Sequence, residues 1–145
     1  MRDIGVSNFL KIHLEKLIKK FGVKPAVNQF EIHPCLWEGP TINFCRENKI
    51  AIEAYSPLAR QADELFKSVK MNSLAKKHNK SVAQISLRWC IQNGFIILPK
   101  SKSQGRIEEN MNIFDFSLDE EDMKLITDLH KKRKRTCWDP NAVKY

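Results

Sequence analysis

Polar side chains that could bind a small molecule follow four short apolar segments of the chain. They offer amide donors and acceptors, hydroxyls, a phenol and an ammonium group, and they are Ser7, Asn8, Gln29, Tyr55, Ser56, Lys100 and Ser101. A histidine, His33, also follows one of these segments, and its position alone would allow a catalytic role. Whether these side chains lie close together depends on the secondary-structure elements that carry them.

The four apolar segments predict β-strands at residues 3–6, 26–32, 50–55 and 95–98, with helical segments between them. This alternation predicts parallel βα units, which fit either an open doubly wound sheet or half of an eight-stranded barrel. Periodicity does not separate the two folds. Two features favour the half barrel: no glycine-rich phosphate loop follows the first strand, and polar residues end every strand, at the rim where βα barrels build their active sites.

Helix boundaries are predicted from apolar spacing and from capping residues. The predicted helices cover residues 10–21, 41–47, 72–78, 82–92 and 106–112, with a last one after residue 120. Side chains able to accept hydrogen bonds from a first helical turn precede three of them. These are the Ser7-Asn8 pair and two capping boxes, Ser81 with Gln84 and Ser117 with Glu120.

The composition is that of a globular chain with excess basic residues. Among its 145 residues, 42% are hydrophobic and 29% charged, and the net charge is +8. Nucleic acid, an anionic surface and an anionic cofactor are all compatible with such a charge. Part of the charge lies in the run 131–135, which has no interleaved aromatic residues and no nucleic-acid motif, so a solvated basic segment is expected there.

The sequence also bears on location and on metals. No apolar run approaches the roughly 20 residues of a membrane helix, and the first residues do not form a signal peptide. The cysteines have no CxxC spacing, which argues against a zinc site or a disulfide framework and fits a reducing compartment; they are Cys35, Cys45, Cys90 and Cys137. We expect a cytoplasmic protein without a metal site, a membrane partner or a nucleic-acid partner.

Four sequence motifs, in register along the chain, carry a resemblance to a known family. They are IGVSNF at 4–9, PAVNQ at 25–29, EAYSPL at 53–58, and LPKS at 98–101 followed by Arg106 and Glu109-Asn110. Together they resemble the aldo-keto reductase family over residues 3–126. The resemblance implies an α/β fold, the C-terminal half of a (β/α)8 TIM barrel with four βα units, and NADPH extended along the strand tips.

The resemblance also assigns roles along the cofactor. Ser7, Asn8 and Gln29 match the contacts of the nicotinamide carboxamide, and Tyr55 matches the aromatic that stacks on the ring. The other matches are Ser56 and Leu58 in the loop over the pyrophosphate; Lys100, Ser101, Ser103 and Arg106 at the 2′-phosphate; and Glu109 and Asn110 at the adenine. The histidine in the family's Ile-His-Pro stretch is not catalytic, so a structural role is expected for His33.

The largest departure from the family is the lack of its catalytic groups. The resemblance implies an Asp, a proton-donating Tyr, a Lys and a His, all from the first half of the barrel, and no residue here matches the proton donor. We therefore expect residues 1–130 to form a cofactor-binding half barrel with a basic tail at 131–145, from a longer protein or a truncated gene. A non-catalytic NADP-binding or partner-binding half barrel is the alternative, and open strand edges predict self-association or insolubility. The sequence does not identify the carbonyl substrate.

Overall fold

The centre of the fold is one parallel sheet of four strands. A computed structural model describes residues 2–132, 135–137 and 139–142. The strands lie in the order β1-β2-β3-β4, and their bounds are Gly5–Ser7, Val27–Glu31, Ala51–Tyr55 and Ile96–Leu98. At least one helix connects each strand to the next. The predicted α/β class and its four βα units are therefore confirmed.

Seven helices lie in the described part of the chain. They are α1 (Lys11–Phe21), α2 (Gly39–Glu47), α3 (Asp63–Phe66), α4 (Val69–His78), α5 (Val82–Gln92), α6 (Gln104–Met111) and α7 (Glu120–Thr127). Short 3-10 turns cover Ala59–Gln61, Asp128–Lys132 and Pro140–Ala142. Of the predicted basic tail, residues 133, 134, 138 and 143–145 lie outside the described residues.

One of the two predicted capping boxes is confirmed, and the other is wrong. Before α5, Ser81 Oγ accepts from the Gln84 N–H at 3.2 Å, and Gln84 Oε1 accepts from the Ser81 N–H at 2.9 Å. Before α7, the box is Asp119 with Asp122 rather than Ser117 with Glu120. The Asp119 carboxylate accepts from the Asp122 N–H at 2.8 Å. A carboxylate also interacts better with the positive end of the helix dipole than a serine does.

The prediction that Ser7 and Asn8 cap α1 is also wrong. Leu10 occupies the N-cap position, and its N–H donates to Nδ1 of His13 at 3.1 Å. Asn8 instead has φ 60° and lies in a left-handed turn between β1 and α1. This turn directs the Asn8 side chain toward the strand ends rather than toward the helix.

The two faces of the sheet have different environments. Phe30, Ile52 and Ala54 point toward the helices and belong to the core. Side chains at the alternate positions point to the opposite face, since neighbouring residues of a strand point to opposite sides. These are Ser7, Gln29, Glu53, Tyr55 and Leu98, which are exposed or partly exposed. The polar strand-end residues therefore lie on the face that the helices leave uncovered.

A glycine on β1 leaves room for a side chain of β2. A Cβ at Gly5 would lie 2.8 Å from Cγ1 of Val27 on β2, which is too short for a carbon–carbon contact. Gly5 thus lets β1 lie beside β2 in the observed register, which pairs Ser7 with Gln29.

Two structural findings concern membranes and metals. In the described part of the chain, no helix combines the length and the apolar character that crossing a bilayer requires. No group of three or more His, Cys, Asp or Glu side chains that could hold a metal ion is present among the described residues. The four cysteines carry free thiols, and Cys35, Cys45 and Cys90 are buried.

Candidate functional site

Side chains from the ends of β1 and β3 form one hydrogen-bonded group. The Tyr55 hydroxyl donates to Oδ1 of Asn8 at 2.8 Å, across 47 sequence positions. Asn8 Nδ2 lies 3.0 Å from Oγ of Ser7, and the Ser7 hydroxyl donates to the main-chain carbonyl of Gln29 at 3.1 Å. Three of the residues predicted for the nicotinamide end are therefore in direct contact.

The backbone turn at Asn8 fixes the orientation of this group. Its N–H donates to the carbonyl of Gln29 at 2.8 Å, while its φ of 60° is left-handed. Asparagine adopts such a conformation more readily than most residues. The Asn8 carboxamide is thus held through its main chain and at both ends of its side chain.

The Gln29 side chain is oriented by a residue that the sequence analysis did not single out. Gln29 Nε2 donates to Oε2 of Glu53 at 2.7 Å. The two residues face each other across β2 and β3. Glu53 opens the EAYSPL motif, so its position within that motif was the available signal. Gln29 therefore contacts Ser7 and Asn8 through its main-chain carbonyl, whereas its side chain bonds to Glu53.

Tyr55 remains a neutral phenol in this environment. Burial raises its pKa, and the neighbouring Cys137 thiol and Glu31 carboxylate raise it further, to about 12. A protonated hydroxyl is required for the hydrogen bond to Asn8. The Tyr55 side chain thus carries its proton at physiological pH and directs it to an amide oxygen.

A cavity of about 470 Å³ is lined by Ser56, which directly follows Tyr55, and by Leu58 and Lys100. It joins the predicted pyrophosphate loop to the predicted 2′-phosphate lysine. Arg60 and Gln61 line it as well. Both residues lie outside the four motifs that carry the family resemblance.

The wall formed by Arg60 and Gln61 has an unusual backbone. Ala59, Arg60 and Gln61 have φ values of 49°, 49° and 61°. Left-handed backbone at non-glycine residues costs of order 1 kcal/mol each and persists where the surrounding structure fixes it. Strained backbone of this kind is concentrated at ligand sites, which agrees with a binding role for the cavity.

A second cavity, of about 420 Å³, is lined by Arg106 and Glu109. Leu58 and Gln61 line both cavities, so the two adjoin. Lys100 and Arg106 are exposed and form no ion pair with another described residue. The two cavities therefore place Lys100 and Arg106, which have no ion pair within the described part of the chain, along one groove.

The remaining predicted residues are less closely associated with this groove. Ser101 and Ser103 bond to each other in the turn before α6: the Ser103 N–H donates to Ser101 Oγ at 3.2 Å. Ser103 occupies the N-cap position of α6 but makes no side-chain capping bond. Asn110 is buried and lines a different cavity, with Ile91 and Ile97. The structure therefore does not bring Asn110 together with Arg106 and Glu109 in one cavity.

Comparison with known proteins identifies the class of this fold and site. The sequence model of the aldo/keto reductase family matches residues 1–131. The chain is 44% identical to the 9,11-endoperoxide prostaglandin H2 reductase of Trypanosoma cruzi, over 97% of this chain and 50% of that protein. It is 46% identical to the glyoxal reductase of Bacillus subtilis, over 92% of this chain and 48% of that protein.

The solved structures lead to the same class. The crystal structure of a Gox0644 mutant in complex with NADPH superposes with a TM-score of 0.91 and 37% identity, over 99% of this chain and 52% of that chain. The protein therefore belongs to the aldo-keto reductase family. It spans about half the length of the relatives that it matches, and the roles of individual site residues stay predictions.

Proposed function

We propose that this chain forms the NADPH-binding half of an oxidoreductase that reduces aldehydes or ketones to alcohols. One observation carries the proposal: most of the predicted cofactor residues lie along one edge of the sheet, from the Asn8–Tyr55 group through the Lys100 cavity to the Arg106 cavity. The NADPH complex of a relative supports the same cofactor. The reductase names of several relatives support the same reaction class.

At the nicotinamide end, the chain supplies amide and aromatic groups. Asn8 and Gln29 can meet a carboxamide with both donors and acceptors, and the flat ring of Tyr55 can stack on one face of a heterocycle. Bound NADPH would supply the hydride for carbonyl reduction. The hydrogen bonds from Tyr55 to Asn8 and from Gln29 to Glu53 already hold these side chains in place, which reduces the entropic cost of binding.

At the phosphate end, the chain supplies cations. A lysine ammonium and an arginine guanidinium suit a phosphate dianion, and the guanidinium can bind two oxygens at once. Lys100 and Arg106 have no carboxylate partner among the described residues to compete for them. We assign them to the 2′-phosphate, which favours NADP over NAD. Arg60 lies in the intervening cavity and is assigned to the pyrophosphate.

The proposal includes no general acid from this chain. Carbonyl reduction requires a positioned proton donor as well as a hydride. Tyr55 is unsuited to that role because its proton is directed to Asn8 and its pKa is raised to about 12. We therefore propose that the 145-residue chain binds NADPH but does not reduce a carbonyl substrate on its own.

Cofactor titration tests the phosphate assignment. Arg106→Ala should weaken NADPH binding roughly 10- to 100-fold, the range for loss of a charge-assisted hydrogen bond, and should leave NADH binding nearly unchanged. Arg60→Ala is the matched control, because the pyrophosphate is common to both cofactors and both affinities should fall by similar factors. Isothermal titration calorimetry measures all four affinities. Equal losses of NADPH and NADH in Arg106→Ala would refute the 2′-phosphate assignment.

A turnover assay tests the absence of the acid and separates the two candidate functions. The chain alone should show no NADPH oxidation with an aldehyde, whereas fusion to the N-terminal half of a related reductase should restore it. Turnover by the chain alone would contradict the proposal. A folded fusion that binds NADPH without activity would favour the alternative, a non-catalytic half barrel.

The uncovered face of the sheet supports a second candidate, partner binding. On β4, which pairs with β3 only among the described strands, Ile96 is 49% exposed and Leu98 is 43% exposed. Open strand edges with apolar side chains favour association. We propose self-association as its simplest form, and a monomer in sedimentation experiments at micromolar concentration would exclude it.

A further inference from the structure

Glu31 is a buried acid to which the proposed cofactor site gives no role. It ends β2, where it faces Tyr55 of β3, and its exposure is only 2%. A buried carboxylate is costly unless hydrogen-bond donors and cations surround it. The partners of Glu31 therefore indicate why an acid occupies this strand end.

Most of these partners belong to one C-terminal segment, residues 135–137. Thr136 donates to Oε1 of Glu31 twice, from its N–H at 2.7 Å and from its hydroxyl at 2.5 Å. The Cys137 N–H donates to Oε2 at 3.3 Å, and the Arg135 guanidinium lies 3.7 Å from the same oxygen. His33 completes the surroundings, with Nε2 3.3 Å from Oε1.

The charge state of Glu31 agrees with this arrangement. Burial raises the pKa of the carboxyl group, but hydrogen bonds from His33 and Thr136 outweigh burial and lower the pKa to about 2. The carboxylate is therefore ionised at physiological pH. Removing residues 135–137 would leave a buried negative charge with His33 as its main remaining partner, so the segment and the charge stabilise each other.

The same segment also contacts the strand-end groove. Cys137 Sγ lies 3.6 Å from Oγ of Ser56, and Ser56 lines the cavity of about 470 Å³. The loop after β2 also contacts this segment, because the Arg135 guanidinium lies 3.5 Å from Oε1 of Glu38. Residues 135–137 are thus held between the loop after β2 and the end of β3.

We infer that Glu31 is a positioning residue that anchors residues 135–137 against Ser56, so that this segment forms one wall of the cofactor groove beside Tyr55. We name residues 135–137 the strap. The anchoring follows from the contacts of Glu31 itself. Only the identity of the ligand that the wall borders rests on the proposed function.

The Cys137 thiol provides a direct measure of strap position in the full chain. N-ethylmaleimide labelling, followed by peptide mass spectrometry, gives the rate at Cys137, and the buried Cys35, Cys45 and Cys90 report on unfolding. Glu31→Gln keeps the side-chain shape but removes the charge that binds the strap. We expect Cys137 to react about ten-fold faster, the factor for loss of one charge-assisted hydrogen bond, with the buried thiols unchanged.

Two further variants make the labelling result specific. Thr136→Val removes one donor to Glu31 without altering the strand, so it should also accelerate Cys137 labelling. This variant provides the test if Glu31→Gln fails to fold. Glu53→Gln is the matched control: it is the same substitution on the same face of the sheet, and the carboxylate bonds to Gln29 instead of the strap. Unchanged Cys137 rates in folded Glu31→Gln and Thr136→Val would overturn the anchoring role.

Labelling in the presence of NADPH tests the wall itself. In the native chain, saturating NADPH should slow labelling of Cys137 several-fold, and this protection should be lost in Glu31→Gln. Calorimetry on the same samples measures binding independently. If NADPH binds without protecting Cys137, the strap does not border the cofactor and the inference is wrong. If NADPH does not bind while labelling still depends on Glu31, the anchoring stands and the proposed function fails.

Discussion

Asp122 should be a major source of stability, because its buried carboxylate joins α4 to α7. It is 2% exposed and accepts from Lys77 Nζ at 2.8 Å, while His78 Nε2 lies 2.7 Å from its other oxygen. Asp122→Asn preserves the shape but removes the charge from both contacts. At about 1.5 kcal/mol for each charge-assisted hydrogen bond, the expected loss is roughly 3 kcal/mol. That is the lower end of the range for breaking a buried ion pair, which fits because Lys77 keeps Asp119 as a partner.

Urea denaturation followed by tryptophan fluorescence measures this loss. A decrease of roughly 3 kcal/mol corresponds to a fall in Tm of about 6–12 °C for a domain near this size. Asp63→Asn is the matched control, because Asp63 accepts from Lys67 at 2.7 Å and the two side chains are 69% and 75% exposed. Exposed ion pairs contribute little, so its midpoint should barely change. Equal shifts in the two variants would refute the reasoning from burial.

Two further predictions concern the strand ends. The pKa of Glu31 is lowered from its ordinary value of 4.5 to about 2 in the folded chain, so the unfolded chain takes up the proton first as the pH falls. The stabilising contribution of the Glu31 carboxylate should be complete above about pH 4.5 and disappear towards pH 2. In Glu31→Gln, the denaturation midpoint should therefore change less with pH over that interval. Tyr55→Phe removes the hydrogen bond to Asn8 and should cost about 1 kcal/mol in thermal unfolding. It should weaken NADPH far less than Tyr55→Ala does, and similar losses in both would contradict ring stacking.

The sequence predicted the repeating elements well because their signals are local. Alternating apolar segments gave the four strands, and the Ser81–Gln84 spacing gave the start of α5. The start of α7 was missed because two pairs with the same spacing overlap there, Ser117 with Glu120 and Asp119 with Asp122. Spacing alone does not show which pair forms the capping box of α7, whereas the contact of Asp122 with α4 favours Asp119 with Asp122.

The sequence predicted which residues belong to the strand-end site, but not which of them are joined by hydrogen bonds. The motifs marked Asn8 and Tyr55 separately, yet the hydrogen bond between them spans 47 positions. The contact between Glu31 and Thr136 spans 105 positions, and no local pattern indicates it. Asn8 was interpreted as a helix cap because asparagine serves both caps and left-handed turns, and only the position of β2 distinguishes the two.

The distribution of charge connects the composition to the groove. A net charge of +8 allowed three kinds of anionic partner, and several basic side chains have an acidic neighbour, such as Lys67 with Asp63 and Lys80 with Asp115. Arg60, Lys100 and Arg106 differ, because they line two adjoining cavities without an ion pair to another described residue. Cations gathered this way repel one another unless an anion lies between them. A ligand with phosphates spaced along its length would supply that anion, and a surface that merely attracts polyanions would not require the cations to converge on cavities.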